Sequence, residues 1–320
     1  MTALLGLLLL GALFATAGPL TLARARWADR EPVLALLVWQ CLVVAVLLCC
    51  LLSLLLSLSA GLPGARGLLF RGAPPGVGAA YGLAGDEGWG RFCAALLAAG
   101  GLWTAVSLVR EIRAARALRD SRHRELASRS PELPPGAGDQ PTRRERLVVL
   151  ESGRPEAWSL PGPQSRLVVT TGALSRLTDR ELAAVLSHER GHVRARHHWL
   201  SQVSQALAAG FPRVGVFTAF RDQVGELVEW AADDRAARRH GRVITAHAMV
   251  EINAGRGVFG SCAGELPPGQ LAQAPRRVDR LLAGEPRLPV LTRLWLTLLA
   301  LAAPAAPLLL AVAPGLGALR

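Results

Sequence analysis

His188-Glu189-Arg190-Gly191-His192 is the stretch on which the reading of this chain turns. Two histidines four residues apart fall on one helix face, about one turn from each other. Both imidazoles then reach a single tetrahedral ion, at about 2.0 to 2.1 Å each for zinc. Glu189, roughly 100° further round, is turned out of that pair and can reach a water in the ion's open position. The motif therefore supplies two ligands and a general base for metal-assisted hydrolysis of a peptide bond. Its helical context is written just upstream, where Thr178 and Glu181 form a capping box ahead of the apolar positions Leu182, Val185 and Leu186.

A further helix downstream carries Glu226, Glu229, Asp233 and Asp234. Glu229 and Asp233 share one face, so one can ligate the ion while the other steadies a ligand histidine. An acidic helix face alone is ordinarily just solvated. Beside the histidine pair it points to Glu229 as third ligand and Asp233 as its support. His198 is the rival, standing where an HExxHxxGxxH motif places its last histidine. That motif needs glycine at position 195 to break the helix, and this chain has Ala195. Residues 193–200 hold no glycine or proline, so the helix is expected to continue and to carry His198 away from the metal-facing side. For the oxyanion of the transition state, His240 is the candidate, with His247, Arg238 and Arg239 as alternatives, each with a structural role as the competing reading.

The 320 residues are 51% apolar and carry a formal charge of +12, all of the basic residues being arginine. Such charge could serve nucleic acid, but aromatics are only 5% and no DNA- or RNA-binding signature is present, so direct nucleic-acid binding is not expected. Arginine beside a lipid bilayer explains the charge better. Of the five cysteines, Cys41, Cys49 and Cys50 share one apolar run, Cys93 begins another and Cys262 stands alone, with no CxxC and no disulfide framework. Reduced thiols in a reducing compartment are the expectation.

Four apolar runs, at about 3–22, 33–58, 92–109 and 294–312, are long enough to cross a bilayer. The first has no basic residues before it, which argues against a cleaved signal peptide. Arg24, Arg26 and Arg30, the row Arg110, Arg113, Arg116, Arg119 and Arg122, and Arg280, Arg287 and Arg293 all flank these runs on one common side. The positive-inside rule makes that side cytoplasmic and puts both termini and the Gly/Pro-rich stretch 61–90, with Tyr81, outside. The arginine row lies along one helix face, which either meets anionic headgroups or is simply solvated. Residues 199–220 are apolar but interrupted by Gln202, Ser204, Gln205, Gly210, Pro212 and Arg213, and read as two helices broken near Gly210 and Pro212 rather than a span.

The expected organisation is three transmembrane helices in residues 1–110, an arginine-rich helix and linker at 111–142 (the linker being 131–142), a cytosolic catalytic domain at 143–287, and a fourth transmembrane helix with a short tail at 288–320. Within the domain, 147–150, 157–160 and 167–171 read as short strands. They form either a sheet over the catalytic helix, with an edge open to an extended substrate, or a hairpin that merely covers the core. The fold class is an α-helical membrane protein of four transmembrane helices with an inserted, mainly helical α+β, zincin-like metalloprotease domain.

Taken together these residues resemble the bacterial membrane metallopeptidases typified by the beta-lactam sensors BlaR and MecR, over nearly the whole chain. In that family, and in the related HtpX and CAAX prenyl endopeptidases, the helix after HExxH carries a glutamate ligand and an aspartate four residues on, as Glu229-Trp230-Ala231-Ala232-Asp233 does here. Leu160-Pro161-Gly162 and Leu167-Val168-Val169-Thr170 are also similar to the family's approach to its active-site helix. The resemblance implies one zinc ion per chain, a multi-pass cell-membrane location with the catalytic domain in the cytoplasm, and a protein substrate such as a cytosolic transcriptional repressor in signal transduction. The chain stops at Arg320 where the sensors continue into a penicillin-binding domain, so antibiotic sensing is not implied. The competing expectations are an HtpX-like membrane quality-control protease and a non-catalytic membrane scaffold, the second opposed by the intact His188, Glu189, His192 and Glu229.

Overall fold

The computed structural model describes residues 2–74, 76–81, 87–129, 145–160, 165–253 and 273–318. The linker expected at 131–142, Cys262 and the Pro161-Gly162 step lie outside the described residues. The chain divides into two compact units, one of Met1–Arg110, Ser204–Gln223 and Leu288–Arg320, the other of Glu111–Val203 and Val224–Arg287.

The first unit holds helices α1 (Thr2–Leu22), α2 (Pro32–Gly61), the short α3 (Pro63–Leu69) and α4 (Val77–Ala80), the start of α5 (Glu87–Arg129), and α12 (Val290–Gly317). Four helical stretches, Thr2–Leu22, Pro32–Gly61, Gly88–Leu118 and Val290–Gly317, are long and apolar enough to cross a membrane. α2 packs against both α1 and α12 and has more buried residues than either, Trp39 and Cys49 among them. Leu9, Leu96 and Leu299 are exposed on α1, α5 and α12, the distribution of a bundle whose outer solvent is lipid. Where α1 crosses α2 the helices approach closely at Gly18: a Cβ there would lie 2.7 Å from a Leu42 methyl, and that side chain would have to shift. Pro304, Pro307 and Pro314 all lie within α12, as a membrane helix tolerates.

In the second unit, β1 (Glu145–Leu150), β2 (Ala157–Leu160) and β3 (Ser165–Thr170) form a sheet in the order β1-β3-β2. β3 is central, parallel to β1 and antiparallel to β2, with Ser159 opposite Leu167. Leu167, Val168 and Val169 are all buried, as expected of a central strand covered on both faces. α6 (Thr171–Arg176) follows at once, its first turn capped by Thr170 Oγ1, which accepts from the Ala173 N–H at 3.2 Å. α7 (Asp179–Arg194) lies against β2 and β3, and Leu182, Val185 and Leu186 pack on a core of Val169, Ala173, Leu177 and Ala248.

One expectation is overturned here. The helix does not continue past Ala195: α7 ends at Arg194, Arg196 adopts the left-handed conformation at φ 53°, and a new helix α8 (His197–Gly210) begins. Alanine's propensity is worth only tenths of a kcal/mol per residue against its neighbours, and the turn buries His197, which is 7% exposed. After a break at Phe211–Val214, α9 runs uninterrupted from Gly215 to His240, followed by α10 (Arg242–Asn253) and α11 (Gln273–Ala283).

Candidate metal centre

The site begins with the anchoring of α7. Glu181 Oε2 accepts the Thr178 N–H at 2.8 Å while Thr178 Oγ1 accepts the Glu181 N–H at 3.5 Å, a reciprocal capping box. The other oxygen of Glu181 meets His247 Nδ1 of α10 at 2.5 Å. His247 thus serves the start of the helix. The bonds from Thr178, with His247 beside them, outweigh burial and lower the Glu181 pKa.

From this fixed start, His188 and His192 project one turn apart with their Nε2 atoms 3.1 Å from each other. α9 passes close beside them at Gly191, where a Cβ would lie 3.4 Å from both Cα and Cβ of Ala232, an ordinary contact that leaves no room for a longer side chain. That approach brings Glu229, one turn earlier on α9, to the histidines. Its Oε2 is 3.5 Å from His188 Nε2 and its Oε1 is 3.4 Å from His192 Nε2. His188, His192 and Glu229 form a group whose donor atoms all lie within 4.8 Å of one another. Three ligands at zinc distances from a tetrahedral centre stand about 3.3 Å apart, and the Glu229 carboxylate, with one oxygen toward each histidine, lies near that spacing, so the group fits a zinc-sized ion.

The shell behind the triangle is buried and charged. Asp233 Oδ1 lies 2.9 Å from His188 Nδ1, on the side of the ring opposite the triangle, and Asp233 is 0% exposed. Arg277, from α11, closes over both carboxylates. Its Nε and one Nη donate to Asp233 at 2.8 and 2.7 Å and its other Nη pairs with Glu229 at 2.8 Å. Sequence reading missed Arg277, whose only signal was an arginine-rich helix ahead of the last span. Two more arginines of α11 fasten it to α9: Arg276 meets Glu226 at 2.6 Å, Arg280 meets Asp234 at 2.9 Å, and both guanidinium groups stack over the Trp230 ring.

These contacts divide the protonation states. Burial would lower the His188 pKa, but hydrogen bonds to Asp233 and Glu229 outweigh it and hold the ring up at about 10. Burial takes His192 down to about 4. Burial would raise both carboxylates, yet Arg277 and the histidines keep Glu229 well below the usual range and Asp233 at about 2. Glu189 goes the other way. Burial raises it, with the His188 charge and bonds from the hydroxyl and backbone N–H of Ser159 opposing the rise only in part.

The structure brings together His188, Glu229, Asp233 and His192, with Glu189 beside them and held from β2 by Ser159. It does not bring His240 to them: that residue ends α9, eleven residues past Glu229, or roughly 16 Å along the helix axis. His198 lies tilted against its neighbour Trp199 with centroids 5.8 Å apart, and the neighbouring His197 instead points to His192, Nδ1 to Nδ1 at 3.0 Å. Burial lowers the His197 pKa to about 4.

No curated protein and no solved structure matches this chain. Residues 120–254, which include the histidine pair, Glu229 and Asp233, match peptidase family M48, and the match together with the four long apolar helices supports a membrane metallopeptidase.

Proposed function

We propose that the protein is an integral-membrane, zinc-dependent endopeptidase in which His188, His192 and Glu229 hold the metal, Asp233 orients His188 and Glu189 is the general base. The observation that carries this reading is the set of distances of 3.1, 3.5 and 3.4 Å between the three donor groups, with a fourth group, the separate carboxyl of Glu189, beside them. A zinc ion held there supplies Lewis acidity toward water and the scissile carbonyl. The chain's own residues do the rest. Metal binding requires an unprotonated His188 Nε2, with the remaining ring proton on Nδ1 donated to Asp233 Oδ1. The Glu189 carboxylate accepts the proton of the attacking water and returns it to the leaving amine, and its raised pKa suits a base that must also act as an acid. Among the described residues β2 is an edge of the sheet, and its Ser159 touches Glu189, so an extended substrate backbone pairing along β2 passes in front of the base.

The arginines that flank the four apolar helices on one side support a cytoplasm-facing site. A cytosolic regulatory protein, such as a transcriptional repressor, is then the substrate we propose. Full-length Glu189→Gln protein should keep its zinc and lose roughly 10² to 10⁴ in peptidase rate. Undiminished activity in that variant would overturn the assignment. Comparing fragments in cells carrying the wild type and Glu189→Gln separates the substrate classes: loss of fragments from one cytosolic regulator supports signalling, and loss from many membrane proteins points to quality control. A reporter placed within residues 131–142 that reads as external would remove the cytoplasmic assignment.

A further inference from the structure

His192 has two ring nitrogens, and only one of them faces the donor triangle. Its Nε2 is turned to His188 and Glu229 at 3.1 and 3.4 Å, while its Nδ1 is turned to His197 Nδ1 at 3.0 Å. The two rings meet edge to face, with centroids 5.0 Å apart. A lone pair on His192 Nε2 puts the proton of the neutral ring on Nδ1. Among the described residues the atom it then meets at this distance is His197 Nδ1, which must accept, its own proton sitting on Nε2.

The chain goes to some trouble to make this contact. Had α7 continued, a residue five positions after His192 would lie roughly 140° round the helix from it, facing elsewhere. The left-handed Arg196, at φ 53°, ends the helix and returns the next side chain toward the turn before it. A non-glycine residue held there costs on the order of 1 kcal/mol, and strain of this kind is kept where the surroundings enforce it. His188 has a carboxylate behind it, supplied by Asp233. Among the described residues no carboxylate stands in the same place behind His192, and His197 stands there instead.

We propose that His197 is a positioning residue for the metal centre: as a neutral acceptor it fixes the tautomer and ring plane of His192, through the bond from His192 Nδ1–H to His197 Nδ1. This rests on the reading of His192 as a metal ligand. Partners of this kind behind a ligating imidazole are worth roughly ten- to a hundredfold in metal affinity.

The test uses the full-length chain in detergent, stripped of metal, with zinc affinity measured by competition against a chromogenic chelator and the cobalt-substituted protein followed by its visible absorption. In His197→Asn the amide oxygen stands close to the place of Nδ1. In His197→Gln it stands a bond further out, near the place of Nε2, and His197→Leu has no acceptor. Zinc affinity should fall roughly ten- to a hundredfold in His197→Gln and His197→Leu, with an altered cobalt spectrum, and should return to within a few-fold of wild type in His197→Asn. A merely space-filling histidine would not separate Asn from Gln, two amides of similar folding cost. Asn as weak as Gln, or Gln and Leu as tight as wild type, overturns the proposal. Equal affinity in wild type and His192→Ala would instead sink the metal-ligand reading on which it stands.

Discussion

Replacing Arg277 with leucine removes one fork that serves two acids, the fully buried Asp233 and the partly exposed Glu229. The guanidinium makes bonds of 2.8 and 2.7 Å to Asp233 and a pair of 2.8 Å to Glu229; its side chain is 16% exposed and that of Asp233 0%. Breaking a buried pair from one side costs about 3 to 5 kcal/mol, because the charge left behind is neither hydrated nor paired. His188 still bonds Asp233 at 2.9 Å and so offsets part of the loss, which places the expectation near the lower end, at about 3 kcal/mol. That is roughly a hundredfold in the unfolding equilibrium. The measurement is denaturant unfolding of full-length protein in detergent after chelation. Adding Asp233→Asn to Arg277→Leu should restore part of the stability, since the stranded charge goes with it. Zinc should restore part as well, because a dication neutralises the same carboxylates. A loss under about 1 kcal/mol, the range of an exposed pair, would refute the reasoning.

Two further outcomes follow from the helix contacts. Glu181 is lowered in pKa by the Thr178 backbone and hydroxyl bonds and by His247, so its charged form stabilises α7 above its unfolded value of about 4.3 and that contribution is lost as pH falls through the lower folded value. Glu181→Gln should cost about 1 kcal/mol at neutral pH and flatten the acid limb of a melting-temperature profile; an acid limb as steep as wild type would contradict this. At Gly191 a Cβ would stand 3.4 Å from Ala232, ordinary contact, so Gly191→Ala should keep one zinc per chain while Gly191→Leu forces α9 and its Glu229 away and loses it. Metal analysis of the two purified variants decides, and a fully loaded leucine variant would count against the close helix crossing.

The parts of this molecule legible in its sequence are those fixed by local chemistry. The spacing of His188 and His192 states their common face, Thr178 and Glu181 state where α7 starts, and the apolar runs state four long helices. The three strands are found at 145–150, 157–160 and 165–170, within two residues of their expected bounds, because each is bracketed by glycine and proline. What was not legible depends on residues far apart. Arg277 lies 48 residues after Glu229, and its sequence neighbourhood, Arg276 to Arg280, looks like any basic flank of a membrane span. Only the carboxylates of α9 give it a role. The end of α7 was misread for a related reason. Ala195 favours helix by itself, and the gain from turning His197 inward against His192 is invisible until the fold supplies the neighbour.

Arg196 also sets which sequences can occupy that corner. At φ 53° its backbone is open to glycine at no steric cost and to asparagine or aspartate at little. Valine, isoleucine and threonine crowd their own carbonyls there, and proline, locked near −65°, does not reach it. A saturation screen at this position should therefore sort residues by backbone handedness and hardly at all by charge. The feature such a screen would read is the left-handed turn itself, which carries His197 back to His192.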